Sequence, residues 1–252
     1  MPLLEAPPGA TYGWRGRIGF IQPGAVAENN PYEFYLMAPP GVTLVMTALG
    51  HTGLLNQAAF DFMLANIDEA VRRLLVRKID AIVVAGVPHI ASKGWGYEDV
   101  IRQQVAMLTP LPLVTDLGLC IDAMTALGLR RVAMLTPFDD PMHRLLSDYV
   151  GHAGIAVAGA KSIRPSEELY EEISFVPLAN VYRAAKEVFQ AAPGADGVWI
   201  TGALMPTVGV IAALEQDLGV PVVTSMQAMA WGGLRAVGVR DQVAGYGRLL
   251  TT

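Results

Sequence analysis

Apolar positions along this chain follow two alternating rhythms. Short, nearly continuous apolar runs end in glycine or proline, and longer stretches place apolar residues every three or four positions. Arg17-Ile18-Gly19-Phe20-Ile21-Gln22-Pro23 predicts a first strand, stopped by Pro23-Gly24, after a loose tail over 1–16. Glu28-Asn29-Asn30-Pro31 reads as a polar loop, and 42–47 as a second strand beyond Pro39-Pro40-Gly41. Over 57–78, Phe60, Met63, Ile67, Val71, Leu74 and Leu75 fall at helical spacing and predict one long amphipathic helix. Asp80-Ala81-Ile82-Val83-Val84-Ala85-Gly86 predicts a third strand, apolar on both faces as in a covered parallel sheet.

The alternation continues. Helices are expected over 97–108, 117–127, 141–152, 178–191, 207–218 and 226–237, with a shorter helical stretch over 167–172. Strands are expected over 113–115, 131–136, 155–158, 198–201 and 220–224. Strands alternating with helices imply right-handed βαβ units and parallel sheets.

The pattern also repeats. Arg17–Pro23 is answered 114 positions later by Arg131-Val132-Ala133-Met134-Leu135-Thr136-Pro137. The third strand is answered at 116 by Asp196-Gly197-Val198-Trp199-Ile200-Thr201-Gly202, and Pro112-Leu113-Val114-Thr115 at 109 by Pro221-Val222-Val223-Thr224. Ordered landmarks at near-constant offset predict an α/β fold of two pseudo-symmetric lobes, each a short parallel sheet flanked by helices. The expected division is 17–116 plus 225–252 for lobe 1 and 117–224 for lobe 2. Ligands of open parallel sheets bind beyond the carboxyl ends of the strands. The loops after Pro23, Thr47, Gly86, Pro137 and Gly202 should therefore surround one cleft between the lobes.

Composition narrows the class. With 52% hydrophobic and 16% charged residues, the chain is globular rather than disordered. A net charge of -5 argues against a nucleic-acid partner, which needs a basic face. Cys120 is the one cysteine, so no intramolecular disulfide can form, and a reducing compartment fits. No signal-peptide core and no run near the ~20 apolar residues of a membrane helix is present, and a cytoplasmic location is expected. A homo-oligomer is left open.

Particular residues carry a family resemblance over about 17–250. They are the Gly19-Phe20-Ile21-Gln22-Pro23 strand, Gly86 with Gly94 beyond it, and Leu129-Arg130-Arg131-Val132-Ala133. Leu218-Gly219-Val220-Pro221-Val222-Val223 and Gly245-Tyr246-Gly247-Arg248-Leu249 complete the set. The chain resembles the aspartate/glutamate racemase superfamily, and within it the arylmalonate decarboxylase and maleate isomerase branch. The resemblance implies cofactor-free chemistry at the carbon next to a carboxylate of a small acid. In racemases and maleate isomerases two cysteines serve. In the decarboxylases the first turn keeps glycine, the second carries a cysteine that protonates an enediolate, and hydroxyl and backbone donors of the first turn hold the oxyanion.

By that resemblance Gly86 matches the decarboxylases, while Gly202 stands in the place of the cysteine. Val87 and Pro88 replace the hydroxyl residues, and Phe138 replaces a tyrosine. The resemblance places Pro23, Asn30, Gly86, Val87, Phe138, Gly202 and Ala203 around the substrate. The backbone N–H groups of Gly86, Gly202 and Ala203 are expected to cradle its anion, and the two glycines to leave room for a larger group. Cys120, apolar-flanked within a helix, reads as core.

Histidine is then the natural proton-transfer group. His89 follows the third strand and His51 the second; both are catalytic candidates. His143 lies near Asp139-Asp140, which more often cap a helix, and His152 reads as a C-terminal cap. Lys93 could pair with an anion, and Met37, Met46 and Met205 could form an apolar wall. No His pair has a local metal-ligand spacing, so no metal ligand is assigned. The expected activity is a cofactor-independent lyase or isomerase that works without cysteine. The alternatives are a non-catalytic binder of small acids and a metal-dependent hydrolase or hydratase using His51, His89 and His143.

Overall fold

A computed structural model describes residues 6–163 and 170–252. Two four-stranded parallel sheets form the frame. The first contains β1 (Gly16–Gly24), β2 (Val42–His51), β3 (Ala81–Val84) and β4 (Leu113–Thr115), in the order β2-β1-β3-β4. The second contains β5 (Arg131–Thr136), β6 (Ala156–Ser162), β7 (Gly197–Ile200) and β8 (Val222–Thr224), in the order β6-β5-β7-β8. The same 2-1-3-4 order in both halves makes the sequence repeat a structural one. In this order the chain reverses direction across the sheet between the first and third strands, and crevices for ligands open there.

Helices cover the sheets. In the first half they are α1 (Asn29–Met37), α2 (Gln57–Ala65), α3 (Ile67–Leu74), α4 (Pro88–Ala91) and α5 (Tyr97–Ala106). α6 (Asp116–Ala126), α7 (Asp140–His152), α8 (Leu178–Gln190), α9 (Ile211–Leu218) and α10 (Ser225–Ala236) follow. β3 and β7 lie inside their sheets and are wholly buried, which is why they read as unbroken apolar runs.

Three expectations change. The helix expected over 57–78 breaks at Asn66, whose side chain donates to the Phe62 carbonyl at 2.8 Å and so competes with the helical ladder. The polar loop at 28–31 is the start of α1. The helix expected over 207–218 begins as a 3₁₀ turn, Val208–Val210. The stretch over 167–172 falls partly outside the described residues; Tyr170–Phe175 is 3₁₀.

The lobes meet through α6 and α10, the helices that follow the last strand of each sheet. Thr115 caps α6 by accepting the Gly118 N–H, and Thr224 caps α10 by accepting the Gln227 N–H. A Cβ on Gly232 of α10 would sit 2.1 Å from the Leu119 side chain of α6. Only glycine permits so close an approach. α10 also packs on β1 and β3, with Gly233 over Ile18 and Val83, so the chain returns to the first sheet at its end.

Candidate active site

The two glycine turns occupy equivalent places, each beyond the third strand of its sheet. Gly86 has φ +98° and Gly202 φ +118°, backbone that L side chains rarely adopt. Each turn is roofed by the proline that ends the neighbouring first strand. A Cβ on Gly86 would lie 2.6 Å from Pro23 and 2.8 Å from His89 Cε1; one on Gly202 would lie 2.7 Å from Pro137. The expectation that these glycines leave space for a larger group is therefore wrong. The space is filled, and a side chain at either turn would collide with a proline ring.

Both turns line one pocket, partly open to solvent. The first lobe contributes Pro23, Gly86, Val87, Pro88 and His89, and the second contributes Phe138, Gly202, Ala203 and Leu204. Six of the seven residues that the resemblance placed around the substrate, with His89, share this wall. Leu55, Met63, Tyr170 and Ile173 complete it, and the sequence reading missed all four. Met63 and Leu55 looked like ordinary helix and loop positions. Tyr170 sits in an acidic stretch whose pattern does not fix its direction.

His89 lies in α4, the short helix that opens beyond Gly86, and is fully buried. Neither ring nitrogen has a hydrogen-bond partner among the described residues. Burial lowers its pKa to about 4, so the ring is neutral near pH 7. Burial raises the Tyr170 phenol well above its ordinary range, so it too is neutral. The pocket wall is thus apolar and uncharged, with one unpartnered imidazole.

The backbone donors differ from expectation. The Gly86 N–H donates to Asp116 Oδ2 at 3.1 Å, and the Gly202 N–H to Ser225 Oγ at 3.3 Å. Both acceptors are buried and neither lines the pocket, so these two amides are turned away from it. Of the three expected anion donors, Ala203 alone remains. The amides of Val87 and Leu204 join it, because none of the three has an acceptor among the described residues.

Other candidates lie elsewhere. His51 ends β2 and borders a separate open hollow with Thr52, Asn56 and Phe62. It reaches the pocket only indirectly, by an edge contact of its ring with Tyr170 at 5.6 Å. Asn30 is in the buried first turn of α1, not in a loop, and is not part of the pocket wall. Helix α1 instead grips the second lobe. Asn29 donates to the Leu204 carbonyl, and Glu33 Oε1 accepts the Thr207 and Val208 N–H groups at 2.7 and 2.9 Å. Burial raises the Glu33 pKa to about 7.

Lys93 is paired with Asp61 at 2.9 Å and faces solvent. Met37 and Met205 are core, and Met46 is exposed on the edge strand. His143 is bound to Thr136 Oγ1 at 2.7 Å. Asp139 caps α7 through the Met142 N–H, and His152 Nδ1 meets the Asp148 carbonyl at 2.8 Å. Among the described residues no three His, Cys, Asp or Glu side chains converge as a metal site, so the donor set for the hydrolase alternative is not assembled. Cys120 is buried in α6, away from the pocket, and burial holds its thiol protonated. No helix among the described residues is long and apolar enough to cross a membrane.

Comparison with known proteins gives a consistent result. The arylmalonate decarboxylase family matches residues 18–250. The chain is 26% identical to an arylmalonate decarboxylase of Bordetella bronchiseptica over 211 residues, 83% of this chain and 87% of that one. It is 23% identical to a maleate isomerase of Geobacillus stearothermophilus, over 73% of this chain and 74% of the other. A crystal structure of a liganded arylmalonate decarboxylase variant, with a glycine changed to cysteine and a cysteine to serine, superposes with a TM-score of 0.85. That pair is 25% identical and covers 93% of this chain and 98% of the other. The maleate isomerase of Pseudomonas putida S16 with maleate shares the fold at a TM-score of 0.83 and 24% identity, over 94% of this chain and 97% of that one. With the match running from the first strand to the last turn, the chain belongs to the arylmalonate decarboxylase family.

Proposed function

We propose that this protein is a cofactor-independent lyase or isomerase acting at the carbon alpha to a carboxylate of a small organic acid, and that His89 rather than a cysteine handles the proton. The observation that carries the reading is the unpartnered, buried imidazole of His89 beside Gly86, on the same wall as the turn of the opposite lobe. The amides of Val87, Ala203 and Leu204 supply donors for a carboxylate and for the enediolate that forms from it. Leu55, Met63, Phe138 and Ile173 provide an apolar wall for one substituent.

For a malonate-type acid, the bond to the departing carboxyl breaks and its electrons remain on the α-carbon, giving CO2 and an enediolate. An anion enclosed beside His89 raises its proton affinity, so the ring takes up a proton as the acid binds and delivers it to carbon. The product is the mono-acid and His89 is neutral again. Deuterium incorporation and CO2 release from 2-aryl- and 2-alkylmalonates in D2O test this. His89→Ala is expected to lose at least ~100-fold in turnover while dicarboxylate binding persists. Full activity in that variant removes His89 from the mechanism. Binding of dicarboxylates by the unmodified protein without CO2 release or exchange establishes the binder instead.

A further inference from the structure

Asp116 is a buried carboxyl that the mechanism does not use. It is the first residue of α6 and is fully buried. Its equivalent in the repeat is Ser225, the first residue of α10. Each follows a capping threonine and accepts the N–H of its own lobe's glycine turn, Gly86 for Asp116 and Gly202 for Ser225. The close approach of Leu119 and Gly232 brings the two helix starts together across the lobe interface.

Contacts join them. Cys120 Sγ donates to Asp116 Oδ1 at 3.5 Å and lies 3.9 Å from Ser225 Oγ. The Cys120 thiol thus bridges the carboxylate and the Ser225 hydroxyl, which also meets Thr201 Oγ1 at 3.2 Å. A continuous buried polar path therefore runs from one turn to the other.

We propose that Asp116 is a positioning residue shared by both lobes: its carboxylate anchors the Gly86 turn directly and the Gly202 turn through Cys120 and Ser225, so that its protonation state is felt at both. Polarisation along a buried hydrogen-bond chain carries the effect. Ionised Asp116 draws the Cys120 thiol proton toward itself, the sulfur then accepts more strongly from the Ser225 hydroxyl, and Ser225 Oγ becomes a better acceptor for the Gly202 N–H. Protonation weakens both bonds together. Among the described residues no lysine or arginine acts on Asp116, and burial raises its pKa to about 6. The titratable neighbours are Cys120 on its own helix and Tyr170 across the pocket, both held protonated by burial, with neutral His89 on the far side of Gly86. The coupling rests on the reading of the pocket only for its bearing on catalysis.

The test needs no substrate. Amide proton and nitrogen shifts of Gly86 and Gly202 are followed by NMR between pH 5 and 8 in the full chain. Both amide protons are expected to move upfield as the pH falls, with one shared midpoint, and to become flat in Asp116→Asn. In Ser225→Ala, Gly86 is expected to keep titrating while Gly202 falls silent. A flat Gly202 in the unmodified protein, or a titration that survives Asp116→Asn, overturns the coupling. If Asp116→Asn does not fold, Ser225→Ala decides alone: a Gly202 amide that still titrates there refutes the path. Activity on malonates is read separately. A protein without it fails the functional reading but leaves the amide titrations intact.

Discussion

The two glycine turns share a backbone and differ in chemistry. Each has a positive φ, a proline roof and an amide held from behind by the first residue of a helix. Around Gly86 the surrounding groups can exchange protons: His89 in front and Asp116 behind. Around Gly202 they cannot: Phe138 in front and Ser225 behind. The difference teaches that the repeat conserves a scaffold while the proton chemistry is concentrated on one side of the cleft.

The sharpest break of this comparison is between the histidines of the two halves. His89→Ala should cost at least ~100-fold in turnover. His143→Ala should leave kcat within a few-fold, since its ring is already bound to Thr136. Equal losses, measured by CO2 release on malonates, would mean that the asymmetry is not functional.

Next come the turns themselves. Gly86→Ala and Gly202→Ala should each destabilise by roughly 2–4 kcal/mol, from left-handed backbone strain and contact with a proline ring. Urea unfolding measures this, and Pro137→Ala should recover part of the Gly202→Ala loss. A neutral substitution at either turn would show that the roofs are not rigid.

The grip of α1 on the second lobe gives a smaller effect. The pKa of Glu33 is raised from 4.5 to about 7 in the folded state, so its charge is disfavoured there. Folding then holds a proton that the unfolded chain releases, and stability falls as pH rises from about 4.5 to 7. Glu33→Gln keeps an acceptor for Thr207 and Val208. It should flatten that slope, by at most roughly 3.5 kcal/mol on the scale of one pKa unit per 1.4 kcal/mol. Thermal midpoints at pH 5 and 8 for both proteins check it. Smallest of all, Lys93→Ala removes an exposed ion pair and should leave the urea midpoint and dicarboxylate affinity unchanged.

Much of the fold was legible because buried parallel strands and their repeat leave a one-dimensional trace. The two parallel-sheet lobes follow from it, and so does the cleft shared by Gly86 and Gly202; the 2-1-3-4 strand order came from the structure. The failures have local causes. Asn29 and Asn30 look like turn residues because their polarity is normally solvated, yet here α1 buries them against the other lobe. His51 stands at a strand end, but the edge strand β2 carries it to a different hollow. The direction of the Gly86 and Gly202 amides depends on what lies behind the turns, and Asp116 and Ser225 are ordinary helix starts in the sequence. Tyr170 enters the pocket through tertiary placement alone.

Asp116 and Ser225 meet where the pseudo-two-fold brings the same position of each half together. A symmetric homodimer of the first half would set two copies of Asp116 against each other, and two neighbouring buried carboxyls cannot both ionise. A homodimer of the second half would set serine against serine and hold no charge at all. One chain carrying both halves can place an acid opposite a hydroxyl, so the asymmetry at the heart of this interface is closed to any homodimer of a single half.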